Sequence, residues 1–547
     1  MLDFTKHVAT RLRAMLTPQS APIPGTPQVP NSAGGYAWEV SPWDRLDRFL
    51  VLGSEGGTYY VGERALTREN AATVAELIAL DGPRVVARAV EVSEDGRAPS
   101  NDPALFVLAM AAGLGSDETR AAALAALPRV ARTGTHLFHW LQFAGAFRGW
   151  GRGVRRAVAE WYVQKPAREL AYQLLKYPSR DGWAHRDALR LAHPRPRDAE
   201  QGALFARAVS KALPADAEET EAVRLVRAVD ALHAEAEVAP ERAAEVVRAH
   251  RLTREMVPTH LLNHAVVWEA LLESMPLTAL VRSLATLTRV GLLAPGSQAA
   301  RAVAGRLADG EALSRARVHP VQVLSALRTY ASGRGVRGKH VWQPVAEVVD
   351  ALDRAFYLAF RTVRPTGRRT MLALDVSGSM MAPVHGLEGL SCREASAAMA
   401  LVTAATEPEH FFTAFTAGSR PSMHVGLPVG LSVLDVSPRQ RLDDVVRRVS
   451  GLPFGGTDCA LPMLEAARQR WKVETFVVYT DNETWAGAVH PAQALRRYRE
   501  KMGIPAKLVV VGMASNGFTI ADPEDAGMLD VAGFDAAAPQ LIADFAR

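Results

Sequence analysis

Thr370-Met-Leu-Ala-Leu-Asp-Val-Ser-Gly-Ser-Met380 ends an apolar run on a carboxylate and two hydroxyls, Asp375, Ser377 and Ser379, within one turn. All three are hard oxygen donors. Two later stretches add to them. Thr457 lies in Gly455-Gly-Thr-Asp-Cys459, between a Pro/Gly loop and a helical stretch. Asp481 ends a second apolar run, Thr475-Phe-Val-Val-Tyr-Thr-Asp481. Few carboxylates, several neutral oxygens and room for water suit Mg²⁺, and the same donors accommodate Mn²⁺ or Ca²⁺. The alternative for the same residues is structural, with Ser377 and Ser379 capping the next helix and Asp481 opening a turn. A hydrolytic metal centre is a poor reading, because the set has two carboxylates and no His or Lys placed beside it as a general base. The protein is therefore expected not to be an enzyme.

A different chemistry is concentrated in residues 148–198. Twelve Lys and Arg face five acids there, and Trp150, Trp161, Tyr162, Tyr172, Tyr177 and Trp183 interleave with them. Arg152 with Arg156, and Arg186 with Arg190, are four apart, so each pair lies on one helix face. Lys176 and Arg180 fall between them. Cations that neutralise phosphates, beside rings on which bases stack, are what RNA binding requires. The competing view has the aromatics in the core and the arginines on a solvated face; Trp161 and Tyr162 are expected to point inward.

Apolar runs bounded by turns read as buried strands of a parallel sheet, where ligands sit at the carboxyl ends. Strands at 370–376, 410–416, 421–427, 474–480 and 506–513 alternate with helices at 391–406, 438–450, 459–471 and 491–502. This alternation predicts a doubly wound α/β domain over residues 366–547. Residues 36–365 form the other domain, and from about 42 to 360 they show almost no strand signal. Apolar residues recur there at helical spacing in paired segments, among them 70–80 with 83–92 and 102–113 with 117–131. Successive antiparallel pairs are the signature of an α-solenoid of the HEAT type, a plain helical bundle being the alternative. Residues 1–35 form a tail and a Pro/Gly-rich strap.

The 547 residues carry 48% hydrophobic and 22% charged side chains, the balance of a globular protein of more than one domain. Two cysteines, Cys392 and Cys459, exclude a disulfide framework and a zinc knuckle. No apolar run reaches membrane-spanning length, and Met1 to His7 has no signal-peptide core, so a cytoplasmic protein is expected. The net charge is +5, and the basic excess falls before residue 366, which points to a polyanionic partner.

Asp375, Ser377, Ser379, Thr457 and Asp481 match the metal-ion-dependent adhesion site of von Willebrand factor A (vWA) domains, which residues 366–547 resemble. Gln28 to Tyr36, Phe49 to Tyr60, Gly182-Trp-Ala-His-Arg-Asp187 and Asn516-Gly-Phe-Thr-Ile-Ala-Asp-Pro523 resemble the Ro sixty-kilodalton autoantigen family. That family joins a TROVE domain to a vWA domain, and the likeness covers nearly the whole chain. It implies HEAT-like repeats closed into a ring by the vWA domain. It implies Y RNA on the outer surface and single-stranded ends of defective RNA in the central hole. Work with exoribonucleases in RNA quality control, maturation and decay is implied too, as is a monomer. His185 matches the family's Y-RNA-contact histidine, and Arg186 and Arg190 follow by position. In vWA adhesion sites the ion's open position takes a partner's carboxylate. The second reading is therefore a metal-dependent protein-docking adaptor whose RNA binding is incidental.

Overall fold

The computed structural model describes residues 16–53, 71–235, 237–335, 340–360, 363–384, 387–417, 430–452, 455–514 and 516–547. The strand expected at 421–427 lies outside them. From Pro42 to Leu358 the regular structure is almost entirely α-helical. Helix breaks carry the polar residues that satisfy free backbone N–H groups. Ser116 accepts from the amide of Thr119, Thr133 from His136 and Thr220 from Val223. The expected pair at 70–80 and 83–92 is present within Ala72–Glu94, as two helices that meet at a kink at Asp81 (φ −152°, ψ 69°) just before Pro83. The proline ring disfavours helical geometry in the residues before it, so the chain bends there.

Neighbouring helices pack in succession. Asp102–Leu114 lies against Ala72–Glu94, Asp117–Val130 and Gly134–Phe147; further along, Pro240–His250 lies against Ala265–Ser274. The series returns to its start. His319 Nε2 lies 3.0 Å from the Arg97 carbonyl, and Gln322 Nε2 donates to the Pro99 carbonyl at 2.6 Å. Helix Pro320–Ala331 thereby closes the helical body on itself.

The C-terminal domain is a six-stranded sheet in the order Met528–Ala532, Lys507–Gly512, Thr475–Thr480, Thr370–Asp375, His410–Phe415, Leu431–Leu434. All neighbours are parallel except the last pair. The continuous apolar runs are explained by two covered faces. Leu372 and Leu374 join the core shared with the helical body, while Met371 and Ala373 join a second core with Phe476 and Tyr498. Two edge elements, Leu431–Leu434 and Met528–Ala532, carry a weaker pattern because half-buried positions, Ser432 and Asp530 among them, interrupt the apolar run.

The strap is part of this second unit in space. Ile23 and Trp38 enter the second core, and Tyr36–Glu39 pairs with Phe518–Thr519. Arg48, in helix Pro42–Leu52, then links to the sheet edge through a buried bidentate pair with Asp530 at 2.7 and 2.6 Å. Arg97 with Asp535 and Arg328 with Glu394 make two more ties between helices and sheet domain.

Candidate metal centre and basic surface

Thr370–Asp375 and Thr475–Thr480 are adjacent parallel strands with Leu374 opposite Tyr479. Their carboxyl ends therefore deliver Asp375 and Asp481 side by side. The Ser377 amide donates to Asp375 Oδ1 at 2.8 Å, and Thr480 Oγ1 donates to Oδ2 at 2.7 Å. The hydroxyls of Ser377 and Ser379 are 3.1 Å apart, and Ser379 hydrogen bonds to Asp481. The third loop is tied to both others. Gly378 N donates to the Gly455 carbonyl at 3.3 Å, and Trp485 N to the Thr457 carbonyl at 3.1 Å. All five expected residues are buried. Asp375, Ser377, Ser379 and Asp481 meet directly, and Thr457 arrives on the adjoining loop.

Burial raises the Asp375 carboxyl above its usual range. Burial first, and then the charge of Asp375, pushes Asp481 up to about 8. Asp481 Oδ2 and Thr457 Oγ1 are both buried with no hydrogen-bond partner among the described residues. Two buried carboxylates that repel and two orphaned oxygens form a set that a hard cation would satisfy. Among the described residues no cluster of three or more His, Cys, Asp or Glu forms, so hydroxyls must complete any ion site here.

Thr480 and Arg393 were not expected at this site. Arg393 is buried at the start of helix Cys392–Thr406, and its guanidinium donates to the Val376 carbonyl and, at 3.2 Å, to that of Leu452. It fixes the backbone just beyond Asp375, and its charge offsets a small part of the rise that burial imposes on that carboxyl. An arginine within Ser391-Cys-Arg-Glu-Ala-Ser-Ala-Ala398, an otherwise small-residue helix start, is the signal that could have found it.

The basic stretch divides. Asp181 and Gly182 both have positive φ, 52° and 79°, and make the tight turn of a hairpin between Ser179–Arg180 and Trp183–Ala184. This hairpin leads into helix His185–Ala192. The His185 ring, which the resemblance would put in contact with RNA, is not on the surface. It is 3% exposed, with Nδ1 2.7 Å from the Tyr162 hydroxyl and Nε2 3.2 Å from the Gln173 carbonyl. Phe138 and Trp161 flank it, and burial pushes its pKa down to about 4. The helix turns its apolar side, with His185, inward, and leaves Arg186 and Arg190 outside.

Arg152, Arg156 and Arg190 are exposed and make no ion pair among the described residues. Arg180 and Arg186 are exposed beside Asp181 and Asp187, each at 3.5 Å. Lys176 is half-buried, bonded to the Tyr172 hydroxyl at 2.8 Å and lying over the Tyr172 and Tyr177 rings. Trp161 and Tyr162 are core, whereas Trp150 and Trp183 are half-buried with ring centroids 5.7 Å apart. No helix among the described residues is long and apolar enough to cross a membrane.

Two family models match the chain, a TROVE domain over residues 29–329 and a Ro60 vWA domain over residues 369–546. The RNA-binding protein RO60 of Deinococcus radiodurans is 45% identical over 524 residues, covering 95% of each chain. That of Caenorhabditis elegans is 36% identical over 592 residues, covering 95% of this chain and 90% of its own. The crystal structure of the Deinococcus radiodurans RO (RSR) protein aligns with a TM-score of 0.70 and 45% identity, over 93% of this chain and 99% of that one.

Proposed function

Because the chain belongs to the Ro60 family, we propose that it is a non-catalytic RNA-binding scaffold with a separate divalent-cation site. The observation that carries the RNA reading is the set of exposed, unpaired arginines on helices Arg152–Val163 and His185–Ala192. Unpaired guanidinium groups are free to neutralise phosphates, and Trp150 and Trp183 offer ring faces beside them. By family membership the outer surface takes a small structured RNA of the Y type. The closed helical body takes single-stranded ends of structured or defective RNA. An exoribonuclease reached through the Y RNA would act on what the scaffold holds, in a cytoplasmic maturation and decay role.

Asp375, Ser377, Ser379, Thr457 and Asp481 would hold the cation, Mg²⁺ by preference. Bound there, the ion would offset the two carboxylates and offer one position to a partner's carboxylate. This is the sense in which the protein is also a docking adaptor.

The test is the salt dependence of RNA affinity. Phosphate-dominated binding falls steeply between roughly 50 and 200 mM salt through counterion release. Replacing Arg152, Arg156 and Arg190 together by Ala should lower the log–log slope by about 2 to 3. Salt-insensitive binding, or an unchanged slope in the triple variant, rejects the reading.

A further inference from the structure

We propose that Gln19, in the N-terminal strap, is a positioning residue for the cation site, joining two of its three loops. This rests on the cation reading above. Gln19 is fully buried, and its amide is saturated. Nε2 donates to Asp458 Oδ1 at 2.7 Å and to the Val489 carbonyl at 2.8 Å. Oε1 accepts from Thr484 Oγ1 at 2.5 Å and from the Gly487 amide at 3.2 Å. Its own amide donates to the Gly487 carbonyl at 2.9 Å.

These partners sit beside the cation ligands. Asp458 follows Thr457, and Thr484 lies three residues past Asp481. Between the loops, Cys459 N donates to Thr484 Oγ1 at 3.1 Å, and Ala486 N donates to the Thr457 carbonyl at 3.0 Å. Gln19 therefore closes a small network in which moving one loop moves the other. The site is built for it. A Cβ on Gly487 would lie 2.3 Å from both Asp458 Oδ1 and Gln19 Nε2, so only glycine permits the approach. Thr457 has one ligand oxygen and, among the described residues, no side-chain hydrogen bond to orient it, so its placement depends on its backbone. Partners behind the ligands that fix their orientation govern metal affinity as the ligands do. The consequence is that the segment matched by the Ro60 vWA model, 369–546, does not contain all of its own cation site's support.

The experiment uses the full chain and Mn²⁺ alone, titrated by calorimetry, together with amide hydrogen exchange of the metal-free protein. Gln19→Ala should weaken Mn²⁺ binding by about 10- to 100-fold, the usual cost of losing such a partner. Exchange should quicken at 457–459 and 484–489 while the Thr370–Asp375 strand stays protected. Gln28→Ala is the control. It loosens the same strap, where Gln28 holds the Ile23 amide at 2.7 Å, yet should bind Mn²⁺ as the parent does. If Gln19→Ala does not fold, Gln19→Glu keeps size and acceptor but sets a carboxylate against Asp458, and the same loss is expected. Parental Mn²⁺ affinity in a folded Gln19 variant overturns the proposal, as does an equal loss in Gln28→Ala. A parent that binds no Mn²⁺ overturns the cation reading itself, and is told apart because the defect is then present before any substitution.

Discussion

Asp481 holds its proton up to about pH 8, because burial and then the neighbouring Asp375 charge oppose its ionisation. Unfolded, an aspartate ionises near pH 4. Between those values the folded chain binds more protons than the unfolded chain, so the metal-free protein loses stability as pH rises from about 4 to about 8. His136, His185 and His319 act in the other direction, each pushed down to about 4 by burial. Their contribution is complete above about pH 6.5 and is lost as pH falls toward 4. Melting temperature against pH should therefore decline on both sides of a maximum. Excess Mg²⁺ should flatten the alkaline limb and leave the acid limb unchanged. An alkaline limb that persists in Mg²⁺ and in Asp481→Asn would show that Asp481 is not its source. The oxygen donors are legible in the sequence because each sits just after an apolar run or a glycine pair, where strand ends and turns must lie. The burial of His185 is not legible. It depends on Tyr162 and Gln173, which belong to two other helices and fix its surroundings only after packing.

At the scale of elements, one buried tie between the two halves is made by Arg48. Its guanidinium donates to Asp530 and to the carbonyls of Asn516 and Phe518, at 2.8 and 3.0 Å, with the side chain 2% exposed. Removing one partner of such a pair strands the other in a dry site. Asp530→Ala should cost about 3–5 kcal/mol, read by chemical denaturation. The double variant Arg48→Met with Asp530→Leu should recover most of that loss, since it removes both charges and restores apolar packing. A double variant as unstable as the single one would assign the cost to the carbonyl contacts instead. The central strands and most long helices could be read from periodicity. The partners in this tie could not. Met528–Ala532 is an edge strand with a mixed pattern, and helix Pro42–Leu52 places a charged residue, Arg48, fully inside. Sequence patterning assigns such an arginine to the surface. Only its five oxygen acceptors, drawn from a segment more than four hundred residues away, make burial favourable.

At the scale of the molecule, the basic face and the cation site share no element. The arginines stand on Arg152–Val163 and His185–Ala192, which pack on each other and on neighbouring helices. Four of the oxygen donors stand at the carboxyl ends of two sheet strands, and Thr457 on the loop before helix Leu461–Gln469, which the strap braces. Among the contacts that hold helices to sheet are the shared apolar core and the pairs of Arg48 with Asp530, Arg97 with Asp535, Arg328 with Glu394 and Arg441 with Asp350, and none of these charged residues is an oxygen donor of the site. The helical body is closed by His319 and Gln322 on the carbonyls of Arg97 and Pro99, again away from the donors. Loss of the cation therefore leaves both the basic face and the closure of the body in place. Asp375→Ala should abolish Mn²⁺ binding while RNA affinity stays within about tenfold, or roughly 1.4 kcal/mol, of the parent. The substitution also takes the acceptor from the Ser377 amide and the Thr480 hydroxyl, so Asp375→Asn, which keeps an acceptor there, is measured beside it. The measurement is a pair of titrations on the same folded sample, Mn²⁺ by calorimetry and labelled RNA by anisotropy at fixed salt. A folded variant whose RNA affinity drops by much more than tenfold would mean that the ion helps shape the RNA surface. The two sites would then have to be treated as one coupled device.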